Sequence, residues 1–396
     1  MDMKAQYDLI VVGAGALGTF HSYFALKKGL KVLLLEKDSA PNEATVRNFG
    51  QVIPSGMGLN QWHQWGREGM DIYKEIQRTT DISVRNQGST YLASTDLEWQ
   101  LLQEIQQIHQ QNGYESELLS QEACQKRLPA VKTDYRVGGL LFAQEITVEP
   151  RQMIHKLIDH LCSTYRLDYR PSTTVTGCDI QEGICKVTDA NGQKYTADKI
   201  IVCSGKDFKI LFPDIFAQSG MRICKLHMMS TLPMPQVQMP GAVLTGLSIR
   251  HYESFQHCPS FEQLQAQPYP KEELNKYGIH ILFKQALDGS IIIGDSHEYI
   301  TANQSENFDF SLNMHINDLI VEGAQRILDL PSWKMQHYWA GYYAKHPNEI
   351  FEHNINDKIF ITTGIGGKGM TTSAGYAQHH INQIYADALA YSANHQ

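Results

Sequence analysis

The chain has 396 residues, 42% hydrophobic and 19% charged, with a formal net charge of −8. This globular composition predicts about two to three domains. The acidic balance excludes nucleic acid as a bulk partner, because its phosphates need basic groups. Seven cysteines stand singly with no C-x-x-C pair, so neither a disulfide framework nor a zinc site is expected, and no metal is assigned. No apolar run reaches the roughly 18 to 20 residues of a membrane span. The chain enters its first strand too early for a signal peptide, so a soluble cytoplasmic protein is expected.

Asp8 to Val12 reads as a buried strand ending in Gly13-Ala14-Gly15-Ala16-Leu17-Gly18, which opens a helix running to Lys28. A second strand, Lys31 to Leu35, delivers Glu36. In this G-x-G-x-x-G order Gly13 makes the tight turn and Gly15 lets a pyrophosphate reach the backbone. Gly18 lets helix pack on strand, and the helix N-terminus supplies N–H groups and positive potential. Glu36 is placed to accept from both hydroxyls of an adenosine ribose.

A polar loop, Lys37 to Arg47, leads into Asn48-Phe49-Gly50-Gln51, and helices are predicted over Leu59–Thr79, Asp96–Asn112 and Val148–Tyr165. Then the pattern turns to β. Cys185–Thr188 and Lys194–Cys203 flank an Asn191-Gly192 hairpin signal, and the second strand runs into Ser204-Gly205. Further strands are predicted over Ile223–Thr231, Ala242–Arg250, Ile279–Phe283 and Ser290–Asp295, and a helix over Met314–Leu328.

Near the C-terminus, strand Lys358–Thr363 runs into Gly364-Ile365-Gly366-Gly367-Lys368-Gly369, with a helix from about Met370 to Ala390. Taken literally this is a second dinucleotide turn. Only 27 residues follow Gly369, too few for the further strand and acid that a second unit needs. The strand and helix are therefore expected to return to the N-terminal sheet, with their glycine turn facing the same cofactor. One βαβ unit, long insertions and a C-terminal return suit FAD better than NAD.

Together VVGAGALG with Glu36, Thr147-Val148-Glu149-Pro150, Val202 to Gly205, Trp339-Ala340-Gly341 and Gly364 to Met370 give the chain a family likeness. It resembles the D-amino-acid-oxidase-like FAD oxidoreductases, which include glycine, sarcosine and D-amino acid oxidases, over nearly its whole length. The runs Ala44 to Gly50 and His337 to Pro347 resemble a subgroup associated with aminophosphonate catabolism and the oxidation of N-methylated 2-aminoethylphosphonate. The resemblance implies hydride transfer from the α-carbon of a neutral amine to flavin N5, then hydrolysis of the imine. It places Gly364, Gly366, Gly367, Lys368, Gly369, Met370 and Thr371 beneath the flavin edge that becomes anionic. There Lys368 and the following helix would stabilise the charge. Cofactor contacts are expected from Gly13, Gly15, Ala16, Leu17, Gly18, Glu36, Lys37, Arg47, Asn48, Gly50, Gln51, Ser204 and Gly205.

The departures bear on substrate. Amino acid oxidases of the family clamp the carboxylate with an arginine two residues after the W-x-G glycine, where this chain has Tyr343. No cysteine follows Cys258, so the flavin tether of monomeric sarcosine oxidases is missing, and their oxygen-activating lysine falls near Ile292. An anion anchor is sought among Arg47, Lys225, Arg250, His251, Lys345 and His346, with Arg250-His251-Tyr252 the densest group. His251 and His346 are candidates for removing the ammonium proton. Trp62, His63, Trp339, Tyr342 and Tyr343 are candidates for an aromatic wall.

The expected architecture is α/β. A discontinuous FAD-binding domain takes in residues 1–75, 148–222 and 335–396, and a mostly antiparallel substrate domain takes in 76–147 and 223–334. Catalytic roles fall to Lys368, His251 and Tyr343, and substrate contacts to Arg250, Tyr252, Tyr343, His346 and Trp62. The expected reaction is oxidation of an N-alkylated aminophosphonate, with oxygen or another acceptor taking the electrons. Competing readings are oxidation of a sarcosine-like or D-amino acid, an NAD dehydrogenase, and a non-catalytic flavin-binding protein.

Overall fold

The computed structural model describes residues 5–302, 308 and 310–386. Tyr7–Val12 is the first strand, and its side chains alternate between two cores. Leu9 and Val11 join one apolar cluster and Ile10 the other, and the neighbouring strand Val32–Leu35 splits in the same way. Both faces are buried, as a strand inside a helix-covered parallel sheet requires. The helix Ala16–Lys27 is buried along most of its length, so its sequence carries no polar face.

The first sheet runs in the order 351–355, 359–363, 194–202, 7–12, 32–35, 168–170. Ile359–Thr363 pairs in parallel with Lys194–Val202, so the C-terminal strand does return to the N-terminal sheet. The helix behind it, Gly369–Ile384, packs on Ala16–Lys27 and on Gln61–Gln77; residues 387–390 of the expected helix lie outside the described residues. The Asn191-Gly192 turn joins Ile184–Asp189 to Lys194–Val202 as an antiparallel hairpin. Gly192 takes φ +78°, and Asp189 Oδ1 accepts from the amides of Asn191 and Gln193, each at 2.9 Å.

A second, nine-stranded and mostly antiparallel sheet is built on Arg222–Thr231 and Met335–Lys345, which pair along nearly their full lengths. Residues 335–345, grouped by sequence with the nucleotide-binding part, therefore belong to this sheet. The expected strand Ala242–Arg250 stops at Leu244 and turns into a helix, Gly246–His251. Thr245 and Ser248 cap that helix reciprocally, a signal hidden by the serine standing where a glutamate is usual. The expected strand Ile279–Phe283 forms instead over Leu282–Gln285.

Candidate active site

A cavity of about 510 Å³ opens where the two sheets face each other, and a smaller one of about 150 Å³ continues it past the first glycine turn. The turn is closed around backbone. A Cβ at Gly13 would stand 2.4 Å from the Cys203 carbonyl oxygen, and one at Gly18 would stand 1.8 Å from that of Gly13. Glu36 is buried beside the smaller space; its carboxylate accepts from Ala14 N at 2.8 Å and Asp38 N at 3.0 Å. Each oxygen keeps lone-pair capacity for a further donor. Lys37 and Ser204 line the same space. Thr45, not singled out from sequence, accepts from Ala16 N at 2.9 Å through its hydroxyl, where the helix N-terminus faces the cavity.

The 44–51 segment braces itself against this turn. Asn48 Nδ2 donates to the Ala44 and Thr45 carbonyls, and its Oδ1 accepts from Gly50 N. Gly50 takes φ +71° with its α-carbon against the Val148 carbonyl, so its part is packing, and it is not on the cavity wall. Arg47, Asn48 and Gln51 are on that wall. At the far end the C-terminal turn lines the cavity from Thr363 to Thr371, with Gly364 and Gly366 at φ +76° and +65°. The Tyr343 ring lies over this turn, its hydroxyl 3.6 Å from where a Gly367 Cβ would stand.

Lys368 departs from expectation. Its Nζ lies 2.5 Å from Glu349 and 2.8 Å from Glu253, and 4.5 Å from the Trp62 ring centre. Two carboxylates take up its charge, so the helix N-terminus behind it and Lys345, whose chain runs against Gly366, are the positive elements at this turn. Trp62 donates its indole N–H to Glu349 and packs on Met57 and Ile365, off the cavity wall.

Arg250 also lies off the wall: it donates to the Gln267 carbonyl and covers Tyr269. Lys225 is buried against the Phe308 and Ser311 carbonyls. His346 lines the cavity, but Nε2 pairs with the Ser219 carbonyl at 2.9 Å and Nδ1 with Asn348 N at 3.2 Å, so both nitrogens are committed. His63 packs with His109 and Tyr114 away from the site, and Trp339 donates to the Arg47 carbonyl.

The remaining wall groups His251, Tyr252, His280, Asp295, His297, Tyr299, Tyr343 and Lys345. Of these, His280, Asp295, His297 and Tyr299 carried no sequence signal. They are brought in by paired backbone bonds between His280 and Asp295, N to O at 3.2 and 2.9 Å. Burial, then the neighbouring Cys224 and Tyr299, push the Tyr343 phenol up and keep it neutral. His251 is pulled down by its depth in the protein and by His280 and His297, although its ring is open to the cavity. Ile292 pairs in register with Lys284, whose buried Nζ is held by the Val148 carbonyl and by Glu149, off the cavity wall.

A nucleotide-binding turn, a ribose acid and a second glycine turn on one continuous cavity define a dinucleotide-dependent oxidoreductase. The chain belongs to the family of FAD dependent oxidoreductases of the DAO type, whose model matches residues 8–382, and FAD is its cofactor. The glycine cradle, in which an added Cβ would meet backbone, and the free lone pairs of Glu36 fit that group. The chain is similar to monomeric sarcosine oxidase of Arthrobacter sp. (strain TE1826), 23% identical over 52% of this chain and 53% of that one. It therefore spans about half the length of that relative. L-2-hydroxyglutarate dehydrogenase of Escherichia coli (strain K12) is 22% identical over 81% of this chain and 71% of that one. The fold matches glycine oxidase from Bacillus cereus ATCC 14579 with a TM-score of 0.76 at 17% identity, covering 96% of each chain. Among the described residues no helix is long and apolar enough to cross a membrane.

Proposed function

We propose that the protein oxidises the C–N bond of an amine bearing an anionic tail, with an N-alkylated 2-aminoethylphosphonate as favoured substrate and an aldehyde plus free amine as products. When bound, FAD supplies the hydride acceptor. The cradle around Gly13 to Gly18, Glu36 and Lys37, with Ser204 and Gly205, would hold its adenosine diphosphate part. The turn from Gly364 to Thr371 would lie under the reactive ring.

The observation that carries the substrate reading is the pair Tyr343 and Lys345. Tyr343 takes the place of a planar guanidinium fork, and no carboxylate pairs with Lys345 among the described residues. A point charge beside a phenol hydroxyl suits a tetrahedral, three-oxygen anion better than a flat carboxylate. Lys345→Gln should raise KM for the phosphonate about tenfold, the worth of 1.4 kcal/mol, with kcat little changed. An equal loss for a neutral-tailed amine would remove Lys345 from tail binding.

A second reading, oxidation of sarcosine-like amino acids, draws support from the sarcosine oxidase similarity. Anaerobic addition of N-methyl-2-aminoethylphosphonate, its unmethylated parent, sarcosine, D-alanine and L-2-hydroxyglutarate to the yellow holoprotein separates them. The phosphonates should bleach the visible band at the lowest concentration. Bleaching by the amino or hydroxy acids alone would overturn the proposal. Peroxide on readmission of air would identify oxygen as the acceptor.

A further inference from the structure

His251, His280 and His297 stack on the cavity wall. The His251 and His280 ring centres are 4.0 Å apart with planes 13° from parallel, and His297 lies 4.6 Å from His251. Two of the rings have their outward nitrogen fixed by what stands behind them. His280 Nε2 is 2.8 Å from Asp295 Oδ1, a charge contact lying off the line of a full hydrogen bond, and its buried Nδ1 has no partner. A carboxylate beside Nε2 favours the proton there, which leaves Nδ1 an acceptor. His297 gives Nδ1–H to the Gly278 carbonyl at 3.1 Å, so its Nε2 is an acceptor too.

The cluster therefore holds lone pairs beside a buried carboxylate, an environment for a cation, with His280 Nδ1 unpartnered and out of solvent contact. The ligand nitrogens lie within 4.8 Å of one another, close enough for either an ammonium or a metal ion. Ring geometry selects between them: the near-parallel rings aim their lone pairs side by side, as two N–H donors require, and do not converge them on one point.

We infer that His251, His280 and His297 form the subsite for the substrate's ammonium group, that His280 Nδ1 takes one of its protons, and that Asp295 offsets the charge so gained. The N–H bond breaks with its electron pair left on the amine nitrogen, and the new N–H bond forms on the imidazole. A neutral amine is the form that can release hydride from its α-carbon, for which FAD, when bound, would supply the acceptor. Burial pushes Asp295 up, but the facing His280 and His297 reverse this and hold it ionised. Burial also keeps His297 largely unprotonated, down to about 4. The groups facing His280 are His251, His297, Tyr252 and Asp295, and the Lys345 charge opposes a second proton on the cluster. His280 is thus a catalytic residue and Asp295 a positioning one. The assignment rests on the amine reading above.

The test is the pH profile of anaerobic flavin reduction by N-methyl-2-aminoethylphosphonate in the holoenzyme and in His280→Gln and Asp295→Asn. Loss of a proton acceptor should slow reduction at neutral pH by about 10²-fold or more. The deficit should shrink toward pH of about 10.4, where a lysine-like amine is already half neutral. Asp295→Asn should displace the acid limb of the profile and cost less rate. A deficit in His280→Gln that is uniform across pH would overturn the assignment.

A second measurement needs no variant. The N,N,N-trimethyl phosphonate, which has no N–H, should perturb the wild-type flavin band only at concentrations about tenfold or more above those of the methylated amine. Equal affinity would overturn the hydrogen-bonded subsite. Zinc retained by wild type through desalting, but not by His280→Gln, would replace the ammonium with a metal. If no amine bleaches the wild-type flavin, the functional reading fails. If amines bleach it and the His280→Gln profile is unchanged in shape, only this inference fails.

Discussion

Gly13 tolerates no side chain, because φ +99° and the 2.4 Å approach of the Cys203 carbonyl exclude a Cβ on two separate grounds. Gly13→Ala should cost on the order of 3 kcal/mol and yield protein with little bound flavin. The ratio of visible to ultraviolet absorbance and a melting curve measure both effects. This much is legible in the sequence, since the turn's demand for glycine is local. Lys368 was not legible in the same way. Its place after Gly367 is visible in the sequence, but Glu253 and Glu349, which neutralise it, come from segments far from it in the chain. Arg250 misled for the same reason: side-chain direction on the six-residue helix Gly246–His251 depends on Thr245 and Ser248 starting that helix.

The short helical turn Pro54–Gly56 lies beside the cavity and is held from behind by a buried acid. Glu145 accepts from Ser55 N at 2.7 Å, from Ser55 Oγ and Tyr114 Oη at 3.0 Å, and from Ser89 Oγ. Burial outweighs these donors and pushes its carboxyl up to about 7. A raised folded value means the native state holds the proton more tightly than the unfolded chain. The associated stability is full below about 4.5 and is lost as pH rises through 7, by about 3 kcal/mol at the worth of a pKa unit. Glu145→Gln should flatten the decline in melting temperature between pH 6 and pH 8. An unchanged slope would remove Glu145 as its source. Long helices were readable by period: the one expected over Asp96–Asn112 forms over Asp96–Gln111, and the Thr95 side chain caps it. The strands Ser89–Ala93 and Gly138–Phe142 were not, because each is short and defined by its partner.

Across the whole molecule a pair of histidines joins two helices far apart in the chain. His21 Nε2 lies 2.9 Å from His380 Nδ1, linking the helix after the first glycine turn to the helix after the last. Burial pulls both down, His21 to about 3 and His380 to about 4, so both are neutral in the native state. Unfolded histidines take protons near 6.5. Below that pH the unfolded state binds more protons, so stability is full above about 6.5 and falls on acidification toward 4. His380→Asn should make the melting temperature less sensitive to pH between 7 and 5. With Glu145 acting from the other side, the protein should be most stable close to pH 7.

The C-terminal strand Ile359–Thr363, laid in parallel beside Lys194–Val202, has a consequence for the protein's birth. During synthesis the first glycine turn leaves the ribosome early, yet the strand and turn that finish its binding cavity come more than three hundred residues later. Until then the sheet keeps an open edge at Ile200–Val202, beyond the part of that strand already paired with Ile184–Asp189, and Ile359–Thr363 covers it later. Nascent chains arrested before residue 359 should not retain flavin, and a pull-down of stalled ribosome complexes probed for bound FAD would show this. Cofactor capture then reports that synthesis has passed the second glycine turn.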